Sequence, residues 1–159
     1  MTLHVTCSLG WVGAVAVFVV LDIASLTGAN PELGRLLWVG LQATVWSLLI
    51  PLALASLLTG TVLALGTRWG LFRHYWVLLK LVLTLVATVV LVLYTETIEP
   101  LAEIAQDPVM AGTQMPSPLL HTGGALVVLL LATILAIYKP RGMTRYGQKQ
   151  RRSRLQQVP

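Results

Sequence analysis

Polar residues punctuate this chain more than they pattern it. Four stretches, residues 5–26, 41–66, 75–98 and 118–138, are almost unbroken runs of apolar side chains. Each is near the ~20 residues that an α-helix needs to cross a ~30 Å hydrocarbon layer. The pattern predicts an all-α integral membrane protein, an antiparallel four-helix bundle over residues 1–138 with a basic tail over 139–159. The second span reads long: counted from Leu36 it covers about 31 residues, or ~46 Å at the helical rise. It must tilt, bend or lie partly in the interface. Pro51 is the expected bend, because it has no N–H and leaves the Ser47 carbonyl without its helical donor. Alternatively, residues 36–40 lie at the outer surface with Trp38 among the headgroups.

Small and polar positions recur within these spans at helical spacing. Lipid tails are as apolar as leucine, so membrane helices associate through close contact at small residues spaced four apart. Ser56, Gly60 and Ala64 form such a row on the second span. His121, Ala125, Ala132 and Ala136 share a face of the fourth, with Gly123 and Gly124 allowing close approach at its outer end. Lys80, Thr84, Thr88 and Thr95 run down one side of the third. The threonines either satisfy neighbouring backbone carbonyls or line a polar path for solute or protons. Lys80, about one turn inside its span, is placed to snorkel to the headgroups.

Composition agrees with this pattern. Of 159 residues, 56% are hydrophobic and 11% charged, against about 25% charged in an ordinary soluble domain; the mean hydropathy is +0.79. No separate globular domain is expected. The single cysteine, Cys7, excludes an intrachain disulfide. The N-terminus has neither the basic region nor the cleavage site of a secretory signal, so the first run is expected to remain as a span.

Charge orients the spans. All lysines and arginines except Arg35 fall after the second span or after the fourth, so the positive-inside rule places both termini in the cytoplasm. The acidic residues, which that rule does not use, fall at the opposite ends: Asp22, Glu32, Glu96, Glu99, Glu103 and Asp107. Asp22 is expected to cap a helix or pair near Arg35. The tail RYGQKQRRSRLQQ is expected to attract anionic lipid headgroups, not nucleic acid, and to be disordered beyond Arg145.

Three histidines carry candidate chemistry, and their depth decides which can cooperate. His4 and His74 begin spans on the cytoplasmic side, whereas His121 begins one on the other side, a bilayer's width away. His4 and His74 together form a candidate haem b pair, with Trp11 on the same face as His4 to pack the ring. The bland alternative is that interfacial histidines hydrogen-bond backbone or headgroups and Trp11 packs a helix. Met110, Met115 and His121 are a candidate set for Cu(I), a soft ion. Glu96, Glu99, Glu103 and Asp107 recur at helical offsets and suit either a hard cation or a solvated acidic loop, with Pro100 expected to interrupt their helix. No P-loop, dinucleotide fingerprint, HExxH or nucleophile elbow is present.

The segments LHVTCSLGWVGAVAVF, SLLTGTVLALGTRWGLFRHYWVLLKLVLT and HTGGALVVLLLATILAIYKPRGMTRYG resemble an uncharacterised family of small bacterial four-helix membrane proteins frequent in actinobacteria. That resemblance covers the chain up to about Gly147, and it implies a bacterial cytoplasmic-membrane location but no activity. The LH…WVG opening and the Tyr75 to Lys80 segment are also distantly similar to the copper-resistance D type of membrane domain. This similarity implies copper or b-type haem, with His4 at the matching position.

Three functions follow as expectations. The leading one is a non-enzymatic binding or accessory protein, taking a small ligand inside the bundle, a membrane protein partner or a second copy of itself. The others are a haem b or copper protein in electron transfer or metal handling, and a small transporter or channel subunit.

Overall fold

The computed structural model of the chain describes residues 1–28, 31–67, 70–110, 114–140 and 142–156. Six α-helices make up most of it: α1 (Thr2–Gly28), α2 (Pro31–Thr44), α3 (Ile50–Gly66), α4 (Tyr75–Gln106), α5 (Leu119–Tyr138) and α6 (Arg145–Leu155). No strand occurs among the described residues. Four helical rods are long and apolar enough to cross a membrane: α1, the continuous rod Pro31–Gly66, α4 and α5.

The long second rod is one helix with a widened turn. Residues Val45–Leu49 form a π-helical turn, in which the Ile50 N–H donates to the Val45 carbonyl, one residue further back than an α-helix would use. This turn immediately precedes Pro51, which has no N–H to donate in either register. The expected proline bend therefore takes the form of a π-turn. Pro31 and not Leu36 begins the rod, so Trp38 is part of it; its side chain is only 1% exposed.

α4 also exceeds its expected length, continuing through Pro100 to Gln106. The Glu96 carbonyl loses a helical donor there, but Glu96 and Pro100 both lie on the exposed side of the helix. Glu96, Glu99 and Glu103 therefore form one uninterrupted exposed stripe. Arg35 closes the end of this helix: its Nε donates to the Ala105 carbonyl at 2.7 Å, one of the last-turn carbonyls that no helical N–H can reach. Its guanidinium also pairs with Glu32 at 3.0 Å. Arg35 is thus turned toward α4, and the expected pairing with Asp22 does not form. Asp22 instead accepts a hydrogen bond from the Ser117 hydroxyl at 2.9 Å.

α1 packs against α2, α3 and α5, and α4 packs against the same three helices. The core between them includes Trp11 and Phe18 of α1, Trp38 of α2, Ile98 of α4 and Leu129 of α5. Charge sorts to the two ends of this assembly. Asp22, Glu32 and Glu99 lie at one, the acidic end; Lys80, Arg73 and α6 lie at the other, the basic end.

The basic segment after α5 is an α-helix over Arg145–Leu155, a stretch whose composition favours a solvated chain. α5 stops at Lys139, whose φ of 44° puts it in the left-handed conformation that ends helices, and Pro140 follows. α6 is then started by Thr144: the Gly147 N–H donates to its hydroxyl oxygen at 3.1 Å, an N-cap bond. The Thr144 N–H donates to the Arg73 carbonyl at 2.9 Å, and the Tyr75 N–H to the Gly142 carbonyl. Gly147 packs backbone to backbone on the turn before α4, since a Cβ at that position would fall 2.6 Å from the Arg73 carbonyl oxygen. Polar backbone contacts achieve what the strongly polar α6 could not by burial.

Candidate functional site

A larger and a smaller chamber lie side by side among the helices, and Trp11, only 2% exposed, lines both. The larger occupies about 190 Å³, somewhat more than the engineered ~150 Å³ apolar cavity that holds benzene. Val15 and Phe18 of α1, Leu41 and Leu49 of the second rod and Ile98 of α4 form its inner walls. The π-turn contributes Leu49 to that wall. Toward α4 and α5 the lining changes to Val86, Val90, Leu120 and Gly124, all exposed on the outside of the assembly. The chamber therefore has a lateral rim between these two helices.

Two ring side chains stand at the acidic end of that rim. Tyr94 of α4 and His121 of α5 are stacked, with centroids 3.8 Å apart and planes 14° from parallel, and both line the chamber. Trp38 tilts against Tyr94 at 6.4 Å, held by an indole N–H bond to the Pro116 carbonyl at 2.9 Å. The Asp22 carboxylate, itself 2% exposed, is within electrostatic reach of the Tyr94 hydroxyl. No described residue hydrogen-bonds the Tyr94 hydroxyl or either ring nitrogen of His121.

The smaller chamber, about 20 Å³, has room for one water and is lined by Ser8, Ser56, Lys80, Thr84 and Thr133 beside Trp11. Next to it runs a directed chain of hydrogen bonds. The Lys80 ammonium group donates to His4 Nε2 at 3.2 Å. His4 Nδ1 lies 3.1 Å from the Thr59 hydroxyl oxygen, and that hydroxyl donates in turn to the Ala55 carbonyl. With the Thr59 proton directed to Ala55, the geometry is consistent with His4 Nδ1 as donor and Nε2 as acceptor. Ser8 and Ser56 add a hydroxyl pair at 2.7 Å. α1, α3 and α4 are joined in this one cluster.

The candidate residues are distributed as follows. His4 and His74 lie at the same end, as their depth predicted, but both nitrogens of His4 are engaged by Thr59 and Lys80. An iron or copper ion at His4 Nε2 would have to displace an ammonium group. His74 stands just ahead of α4, bridged through its backbone to Met143. Trp11 is a core side chain dividing the two chambers. Met115 packs against the core beside Gly34, His121 is stacked on Tyr94, and the side chain of Met110 lies outside the described residues. Among the described residues, no three His, Cys, Asp or Glu side chains converge as a metal would need.

Lys80 turns inward to His4 and does not snorkel, because it shares a face with Thr84 and Thr88, both buried. Those threonines donate to carbonyls of their own helix, Thr84 to Lys80 at 2.9 Å and Thr88 to Thr84 at 2.8 Å. Tyr94, Ser8 and Thr59 are the functional candidates that sequence reasoning missed. Thr59 had a signal, since it lies one turn from Ser56 of the small-residue row, and Ser8 lies one turn from the candidate His4. Tyr94 had none, because an aromatic residue in an apolar run reads as packing. Comparison with family models, curated proteins and solved structures finds no match to the chain.

Proposed function

We propose that this chain is a multi-pass protein of a bacterial cytoplasmic membrane, an antiparallel four-helix bundle that binds a small apolar molecule drawn from the bilayer. The observation that carries this reading is the 190 Å³ chamber with its lateral rim between α4 and α5. A site lined by Val, Leu, Ile and Phe side chains offers water too few polar partners to hold it, so an apolar guest replaces empty space with van der Waals contact. Val86 and Leu120, at the rim, would face lipid tails. Entry from the bilayer then needs no aqueous step.

Orientation follows from charge. With Arg73, Lys80 and α6 at one end, the positive-inside rule puts that end and both termini in the cytoplasm. α6 would then lie near anionic headgroups, worth about 1 kcal/mol per basic residue close to the surface. The role is binding, as an accessory to other membrane components, with no bond-making step assigned.

The test uses 1-bromodecane and the full chain in lipid nanodiscs, because bromine quenches tryptophan on contact and Trp11 lines the chamber. Saturable quenching beyond that of a free tryptophan ester in the same nanodiscs is expected. Ala125→Phe, which fills the chamber from α5, should weaken it at least tenfold, and the rim variant Gly124→Leu should do so without touching the core. Quenching that never saturates, or that both variants leave unchanged, overturns the reading.

A further inference from the structure

The chamber has an apolar body and one polar corner, and a ligand that fits it should have the same division. That corner is the Tyr94–His121 stack at the acidic end of the rim. Its phenolic O–H and imidazole nitrogens have no hydrogen-bond partner among the described residues, and they stand at the partly exposed edge of a space that is otherwise largely apolar. Trp38 and Ser117 illustrate the contrast: nearby polar groups in the same region are bonded, to the Pro116 carbonyl and to Asp22. A guest carrying a hydrogen-bond acceptor would satisfy what the protein leaves open.

Charge narrows the class of head. Asp22 stands next to Tyr94, and Glu96 and Glu99 are exposed on the same helix as Tyr94 near this end. A phosphate head at Tyr94 would lie within electrostatic reach of the Asp22 carboxylate, and no cation among the described residues lines the chamber to offset it. Like charges at such distances oppose binding. A neutral head is required. A flat head is favoured too, because the outer face and edges of the stacked pair suit an aromatic partner in stacked or edge-on contact.

We infer that the ligand is a membrane quinone, a neutral ring bearing carbonyl oxygens on an apolar tail, whose carbonyl accepts hydrogen bonds from Tyr94 and His121 while its ring sits in the chamber and its tail leaves through the rim between α4 and α5. This inference rests on the ligand-binding reading above and adds the identity of the head. No electron transfer is part of it; the chain holds the molecule.

The experiment compares three probes of one chain length in nanodiscs by tryptophan quenching or its competition: decyl-substituted benzoquinone, 1-bromodecane and decyl phosphate. The quinone should bind about tenfold more tightly than bromodecane, as one or two added hydrogen bonds allow. Decyl phosphate should be the weakest. Tyr94→Phe and His121→Phe keep both rings and remove the hydrogen-bonding atoms. Each should weaken quinone binding about three- to tenfold and leave bromodecane unchanged. If quinone and bromodecane bind equally and neither variant matters, the quinone assignment fails while the apolar chamber stands. Decyl phosphate binding as tightly as the quinone also overturns it. If no probe binds saturably, the ligand-binding reading falls, and this inference with it.

Discussion

The apolar chamber and the polar cluster share one wall, Trp11, and are held by different physics. Around the chamber, contact is non-directional: Val15, Leu49 and Ile98 define a shape, and nothing specifies which atom must meet which. In the polar cluster every atom has a role, with Lys80 donating to His4, His4 to Thr59 and Thr59 to Ala55. Were the four apolar rods set among lipid tails, hydrophobic burial would not tell inside from outside. Polar contacts would, because hydrocarbon offers them nothing. The cluster thus specifies which faces of α1, α3 and α4 meet, and the chamber carries no such constraint.

Trp11→Ala tests the shared wall and should have the largest effect. Removing a buried tryptophan costs about 3–5 kcal/mol where the surroundings cannot collapse, and here two chambers already flank it. Unfolding in detergent micelles should show that loss. The same variant should join the polar space to the apolar one, and bromodecane binding, followed by calorimetry because the reporting tryptophan is gone, should weaken as water enters. A loss below about 1 kcal/mol would mean that neighbouring helices close the gap and that the two chambers are not separately built.

Much of this difference was legible in the sequence, but unevenly. The four rods, the two charged ends and the small-residue row of Ser56 and Gly60 follow from hydropathy, charge and spacing, which are local properties. His4 and Lys80 could be placed at one depth, yet their pairing depends on the rotation of α1 relative to α4, which no spacing within either helix encodes. The same holds for Tyr94 and His121, on different helices with no motif between them. The π-turn at Val45–Leu49 was hidden for another reason. Pro51 announces a missing donor, but whether a helix answers by kinking or by widening its turn depends on what packs beside it. α6 was obscured by its own composition. Its charge predicts solvation, whereas Thr144 and Gly147 dock it through backbone groups that every residue carries.

Gly60→Ala sharpens the comparison on the polar side. A Cβ there would fall 2.9 Å from His4 Cε1, so the imidazole must move or the helices part, at about 1–3 kcal/mol for overpacking. Against this, alanine is better than glycine within a helix by about 1 kcal/mol. A net destabilisation of about 1 kcal/mol is expected if Thr59 and Lys80 hold the ring in place. If the ring swings aside freely, propensity wins and the variant is more stable than the parent. The sign of the change in unfolding free energy therefore reports how firmly His4 is held.

Ser8→Ala should have the smallest effect and bears on what the cluster contributes. It removes one half of the 2.7 Å pair with Ser56, but the remaining hydroxyl can turn back to the Leu52 carbonyl of its own helix. Interhelical hydrogen bonds in membrane proteins average only about 0.6 kcal/mol, because alternatives of this kind exist. A loss near that value in micelle unfolding would fit a cluster that selects helix faces through many weak bonds. A loss above about 2 kcal/mol would mean that Ser56 finds no substitute, and that the polar side supplies strength as well as specificity. Bromodecane binding is the internal control: Ser8 does not line the apolar chamber, so its affinity should be unchanged while Trp11→Ala lowers it.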